Sequence, residues 1–162
     1  EAIAVDTIHT DQENESIADS ESCIEIDWIG TPNKVSITQV DSTSLQLSFQ
    51  QNDSLTIRAD KLLFPIGYLY SQKMEISSYI DMQVDEPNTL VITQEYGSAS
   101  PQGWYSAYIT YKPQSEEILL DSIVHEWKNQ EAFGEDDFIQ KEVTTINKRI
   151  EDCDILKIYN LK

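Results

Sequence analysis

The side chains of this 162-residue sequence that could carry chemistry are 29 carboxylates, two histidines and two cysteines. A metalloprotease helix needs two histidines four residues apart, and His125 has no second histidine at that spacing. A serine-hydrolase elbow needs the pattern GxSxG, and no run of the sequence has it. The histidines and cysteines are too few to form a structural zinc site. We therefore expect a protein without enzymatic activity, metal or cofactor.

The carboxylates are too many for their number alone to indicate catalysis. Some pair of them will always lie at the distance that glycoside hydrolysis needs, so only a cleft with two facing carboxylates would indicate that reaction. No run of the sequence resembles the acidic loop of an EF-hand.

Net charge is the property in which the sequence departs most from an average globular protein. The 29 Asp and Glu residues against 11 Lys and Arg residues give a formal net charge of -18. Because binding to nucleic-acid phosphates or anionic lipids requires a basic face, we expect no nucleic-acid partner and no membrane insertion. The charge instead favours a basic protein partner, whose association the field of this molecule would accelerate.

The negative charge is concentrated at the start of the chain, where residues 1–33 contain nine carboxylates and no Lys or Arg. Residues 1–22 also lack aromatic side chains and a sustained apolar period, so they bury too little surface to offset the entropy of ordering them. The sequence therefore predicts an acidic, disordered tail over residues 1–22 and one domain over residues 23–162. The alternative is that the tail folds against a basic partner.

The two cysteines lie at opposite ends of the predicted domain. Cys23 follows the tail and Cys153 lies near the other terminus, so a disulfide between them would close a loop of about 130 residues. In the chain-entropy model such a bridge stabilises by roughly 5 kcal/mol. We expect this disulfide and hence a periplasmic or extracellular location. The alternative is two unpaired thiols, at least one of them buried.

The predicted disulfide would gather carboxylates around itself. By strand periodicity, the acidic neighbours of Cys23 share its solvent-facing side and would meet the acidic neighbours of Cys153. Such a patch could bind a basic protein surface, could hold calcium loosely, or could simply be solvated. The expected members of this acidic patch are Glu21, Glu25, Asp27, Glu151, Asp152 and Asp154.

Apolar residues alternate with polar ones over most of the chain, which is typical of strands with one buried face. Ile24, Ile26 and Trp28 form the first such run, and turn-forming residues separate the runs that follow. The sequence predicts a mainly β fold, an antiparallel sheet or barrel of about eight to ten strands.

The alternation is interrupted once. Ile139, Val143 and Ile146 recur at helical spacing and predict an amphipathic α-helix over about 137–151. Leu156 and Ile158 then alternate again, which predicts a final short strand.

An aromatic pair brackets a loop of small residues at 97–103. Tyr and Trp side chains provide large contact areas at low entropic cost, so this loop is a candidate for contact with a partner. The alternative is an ordinary hairpin whose rings lie partly in the core. The candidate contact residues are Tyr96, Trp104, Tyr105 and Tyr108.

These observations favour an exported inhibitor or immunity-type protein that neutralises a basic toxin or hydrolase in the periplasm. The order of elements, strands followed by a late helix and a last strand, also resembles that of lipocalin-like barrels. That resemblance implies the alternative function of carrying a small apolar ligand.

Overall fold

The fold is mainly β, as the alternation predicts. The computed structural model describes residues 22–28, 31–51, 55–68, 75–97, 102–128 and 139–161. Its strands are β1 (Ser22–Trp28), β2 (Thr31–Gln39), β3 (Leu45–Gln51), β4 (Leu55–Ala59), β5 (Ile76–Asp85), β6 (Thr89–Tyr96), β7 (Gly103–Lys112), β8 (Glu117–Lys128) and β9 (Ile139–Arg149). A 3-10 helix (Ile150–Asp152) and a one-turn helix α1 (Ile155–Ile158) follow them.

The strands form two antiparallel sheets, each of which is a simple meander. The first sheet has the order β1-β2-β3-β4 and the second has the order β5-β6-β7-β8-β9. Within each sheet every strand pairs with its neighbour in sequence, so short turns connect most of them. Among the described strands both sheets are open, and neither closes on itself. No helix among these residues is long and apolar enough to cross a membrane.

One hydrophobic core contains residues from both sheets. Trp28 of β1 is 3 % exposed and its ring stacks between Phe49 and Tyr111, with centroid distances of 5.5 Å and 5.7 Å. Tyr111 belongs to the opposite sheet. The Trp28 indole N–H also donates to the Asn88 carbonyl oxygen at 2.8 Å, so the polar atom of this ring is satisfied as its faces are buried.

The connection from β4 to β5 is fastened to the second sheet by one buried amide. Gln94 of β6 accepts from the Phe64 backbone N–H and donates to the Phe64 carbonyl oxygen, both at 2.9 Å. Gln94 and Phe64 are 2 % and 1 % exposed, so no water can replace these bonds. The Gln94 side-chain amide thus holds Phe64, which lies outside the strands, inside the core. Both backbone polar groups of Phe64 are hydrogen-bonded there.

The helix predicted over about 137–151 is wrong, because β9 occupies most of that range. The consecutive β-branched residues at positions 143–146 favour a strand, and β8 offers them a full row of backbone partners. The helical stripe was misleading because its residues lie on both faces of the strand: Ile139 is 48 % and Val143 56 % exposed, whereas Ile146 packs against the core.

The final short strand is also wrong, since Leu156 and Ile158 lie in α1. Asp154 begins this helix, and its side chain accepts from the Leu156 backbone N–H at 3.2 Å, as an N-cap residue does. Only two apolar positions supported the predicted strand, which is too few to distinguish a strand from a helical turn.

We predict that Gln94→Ala strongly destabilises the fold, because it leaves the Phe64 N–H and C=O buried without partners. At about 1–3 kcal/mol for each group, the free energy of unfolding should fall by about 2–6 kcal/mol in urea denaturation. Gln83→Ala, on the exposed side of β5, is the matched control and should change it by less than about 0.5 kcal/mol. Equal effects of the two substitutions would contradict the role assigned to Gln94.

Candidate functional site

The structure contradicts the predicted disulfide, because Cys23 and Cys153 are both free. Cys23 lies on the exposed side of β1, whereas Cys153 is 4 % exposed and follows the 3-10 helix. That helix packs against β4, and β4 and β1 are the two opposite edges of the first sheet. Three strand spacings, about 14 Å, separate these edges, and a disulfide tolerates at most about 7 Å between Cα atoms.

Burial makes the Cys153 thiol unreactive as well as unpaired. Its Sγ donates to the Arg149 carbonyl oxygen at 3.3 Å, and burial raises its pKa to about 11. Because both thiols are free, no disulfide supports the expected periplasmic or extracellular location. The functional proposal below does not depend on the compartment.

The expected acidic patch is divided between the two edges of the first sheet. Glu25 and Asp27 are exposed on β1, and Glu21 lies outside the described residues. Glu151 and Asp152 are exposed on the 3-10 helix at the β4 side. Without the disulfide, no interaction draws the two groups together. Their role in partner binding remains a prediction.

Asp154, the last expected member of that patch, lines a cleft of about 540 Å³ on the β4 side of the molecule. Two further carboxylates line it, Asp41 from the β2–β3 turn and Asp60 from the end of β4. Apolar side chains supply much of the remaining wall, among them the buried Leu45, Leu63 and Ile155. We call this site the acidic cleft.

Hydrogen bonds hold the three carboxylates of the acidic cleft in place. Asp41 accepts from the backbone N–H groups of Thr43 and Ser44, at 2.9 Å and 2.7 Å, and these bonds lower its pKa to about 2. Asp60 accepts from Gln46 Nε2 at 2.7 Å through Oδ1. Its Oδ2 has no hydrogen-bond partner within the described part of the chain. Because its pKa is lowered to about 2, the Asp41 carboxylate remains charged even in mild acid.

One cation, Lys61, also lines the acidic cleft. Its backbone carbonyl oxygen accepts from the Ile155 N–H at 2.8 Å, which joins the C-terminal segment to the end of β4. Three carboxylates line the cleft with this one ammonium, and Lys157 Nζ lies 4.0 Å from Asp154 Oδ2, so an excess of negative charge remains at neutral pH. The cleft can thus accept a cationic group whose apolar part contacts the leucine and isoleucine wall.

The aromatic residues expected to contact a partner divide between the two faces of the second sheet. Tyr96 and Tyr105 are 1 % and 3 % exposed and belong to the core, so they are not part of a contact surface. Trp104 and Tyr108 lie half-buried on the opposite face, where Lys128 Nζ stands 5.7 Å from the Trp104 ring centre. Alternation along β7 sends successive side chains to opposite faces and explains the division.

The two core tyrosines surround His125, which is buried on β8. The imidazole stacks on Tyr105 with ring centres 4.2 Å apart, and its Nε2 shares a 2.7 Å hydrogen bond with the Tyr96 hydroxyl. Burial lowers the pKa of His125, and the nearby Glu142 carboxylate on β9 partly opposes this effect. The Nε2 of His125 is thus hydrogen-bonded inside the core, and none of the clefts described includes His125, so the imidazole has a structural role.

The sequence reasoning missed Asp41 and Asp60. Asp41 lies in a segment identified only as a turn, and the Asp-Ser-Thr-Ser run was the one signal that its carboxylate would be fixed by local hydrogen bonds. Nothing near Asp60 indicated that the C-terminal segment would pack beside it. In the described ranges, no three His, Cys, Asp or Glu residues come together as a metal site.

No protein-family model matches this chain, and neither a curated protein nor a solved structure matches it.

We predict that native, unreduced protein presents one fast-reacting thiol, Cys23, to Ellman's reagent. The second thiol should react only on unfolding, because Cys153 is buried with a raised pKa. Cys23→Ser should abolish the fast reaction, and Cys153→Ser should leave it intact. If unreduced protein showed no thiol even when unfolded, the two cysteines would have to be bonded.

We predict that His125 makes stability depend on pH near neutrality. Its pKa is lowered in the folded state, so its contribution is complete above the ordinary value of 6.5 and is lost as pH falls below it. In urea denaturation, the free energy of unfolding should fall more between about pH 7.5 and about pH 5 for the parent than for His125→Gln. His9→Gln is the control and should retain the parent's profile, whereas parallel profiles of the parent and His125→Gln would contradict the prediction.

Proposed function

We propose that this chain is a non-enzymatic binding protein of the inhibitor or immunity type, which covers a basic toxin or hydrolase. The observation that carries the proposal is the acidic cleft, in which an apolar wall stands next to fixed carboxylates. The net charge of -18 supports it, since such a field attracts cationic surfaces over distances comparable to the Debye length.

The acidic cleft suits one chemical group in particular, the side chain of an arginine or lysine from the partner. Such a side chain has an apolar stem, which would contact Leu45, Leu63 and Ile155, and a cationic head, which would pair with a carboxylate. The open Oδ2 of Asp60 is a suitable acceptor for that head because hydrogen bonding from Gln46 already fixes its carboxylate. Little side-chain entropy is then lost on binding.

The remaining acidic groups would act on the rate of association more than on affinity. Glu25 and Asp27 on β1 and Glu151 and Asp152 on the 3-10 helix are exposed, and solvent-exposed charge pairs contribute only about 0–1 kcal/mol each. Their summed field steers a basic partner toward the molecule, and the cleft then anchors one of its side chains. Arg149 lies 3.1 Å from Asp152 and reduces the field on that side.

The experiment compares three immobilised baits at low salt: the parent chain, Asp60→Asn and Asp85→Asn. Both substitutions remove one negative charge, but Asp85 is exposed at the end of β5 and does not line the cleft. Asparagine at position 60 can still accept the bond from Gln46. We expect the partner to be retained by the parent and by Asp85→Asn, and to bind Asp60→Asn about fivefold more weakly, since loss of one fixed pair costs about 1 kcal/mol.

A basic protein retained in this way should elute as salt is raised, and its activity should fall when the parent chain is added. Asp60→Asn should inhibit that activity at about fivefold higher concentration than Asp85→Asn does. Equal weakening by the two substitutions would show that only diffuse charge acts and would contradict the assignment of the cleft. Retention without any effect on activity would contradict inhibition.

A further inference from the structure

A second cavity, of about 220 Å³, lies between the two sheets at the other end of β3 from the acidic cleft. β3 begins at the acidic cleft with Leu45 and Gln46 and ends at this cavity with Gln51, about 20 Å further along the strand. Both sheets contribute to its wall, the first through Phe49 and the second through Tyr111. We call this site the end cavity.

The aromatic part of the wall is the ring stack that joins the two sheets. Trp28 lies between Phe49 and Tyr111, so both faces of the indole are covered and only its edge is presented to the end cavity. The edge of an aromatic ring carries partial positive charge, whereas its face is negative. The wall therefore favours a neutral ligand that bears oxygen atoms over a cation, which would need an open ring face.

The polar part of the wall is a pair of carboxamides. Asn33 on β2 and Gln51 on β3 lie directly opposite each other in the register, and Asn33 is only 8 % exposed. A carboxamide has two N–H donors and an oxygen with two lone pairs, so one that is already hydrogen-bonded within the protein can still bond to a ligand. Hydroxyl groups, which both donate and accept, match such a pair. A few polar groups among aromatic side chains are typical of small-molecule sites.

Charge and size restrict the ligand further. Among the described residues that line the end cavity, Glu116 alone carries a charge. Its carboxylate and the net charge of -18 disfavour an anionic ligand. The volume corresponds to about seven water molecules of about 30 Å³ each, which suits a single ring rather than an extended chain.

We propose that the end cavity binds one neutral sugar ring, either a free monosaccharide or the terminal residue of a glycan. The hydroxyls of such a ring can donate to the Glu116 carboxylate and can both donate to and accept from the two carboxamides. Its C–H groups would contact Ile57 and Ile118, the aliphatic part of the wall. The small contact area limits the affinity to the millimolar range. This activity is separate from the covering of a basic partner.

The test follows the amide signals of the isotope-labelled full chain by NMR while glucose, galactose, mannose and their methyl glycosides are added, each to about 50 mM. We expect saturable shifts with a dissociation constant of about 1–10 mM for at least one sugar, concentrated at the side-chain NH₂ groups of Asn33 and Gln51. Cyclohexanol, a ring with one hydroxyl, is the control ligand and should bind at least about tenfold more weakly. Binding of a methyl glycoside identifies the terminal residue of a glycan as a ligand, and binding of free sugars alone identifies a monosaccharide.

Two substitutions assign the binding to the end cavity. Gln51→Leu retains a side chain of similar size but removes the carboxamide, so it should weaken binding at least about tenfold. Gln50→Leu, at the next position and on the opposite face of β3, is the matched control and should leave the dissociation constant unchanged. If Gln51→Leu does not fold, Glu116→Gln at an exposed position provides the same comparison, with Glu151→Gln on the 3-10 helix as its control.

Three results would overturn the proposal. The first is that no sugar produces saturable shifts at the end cavity. The second is that cyclohexanol binds as tightly as the sugars, which would make the end cavity a site for apolar ligands. The third is that the variants and their matched controls weaken sugar binding equally, which would place the sugar elsewhere. Asp60→Asn should bind the sugar as the parent does, so the tests of the end cavity and of the acidic cleft can fail separately.

Discussion

The structure depends on apolar contact between two open sheets that have few polar links. Trp28 supplies one such link and Gln94 another, and both satisfy polar atoms that the contact would otherwise leave buried and unpaired. The stacked rings of Phe49, Trp28 and Tyr111 cross from the first sheet to the second. Because Cys23 and Cys153 are not bonded, no disulfide between them adds to this apolar contact.

Local signals were sufficient to predict every strand of the two meanders except β9. Alternation and turn residues act over a few positions, and each strand pairs with its neighbour in sequence, so no long-range information was needed. The prediction failed at β9, where a helical stripe and a β-branched run compete in the same segment. The free edge of β8 decides between them, and a single sequence does not show that this edge is available.

The predicted site failed for a reason that concerns topology rather than residue type. Alternation correctly placed Glu25 and Asp27 on the same exposed side as Cys23. The same observation should have weighed against a disulfide, since Cys153 belongs to an apolar terminal segment that packs in the core. The order of strands in a sheet decides which distant residues meet. That order separates Cys23 from Cys153 and brings Asp154 to Asp41 and Asp60.

The uneven distribution of charge gives the surface of this molecule two chemically distinct regions. The acidic cleft carries a net negative charge next to an apolar wall, whereas β9 carries a net positive charge along a sheet edge. Groups that suit one region are repelled by the other, because an exposed pair of like charges is unfavourable to the same extent as an opposite pair is favourable.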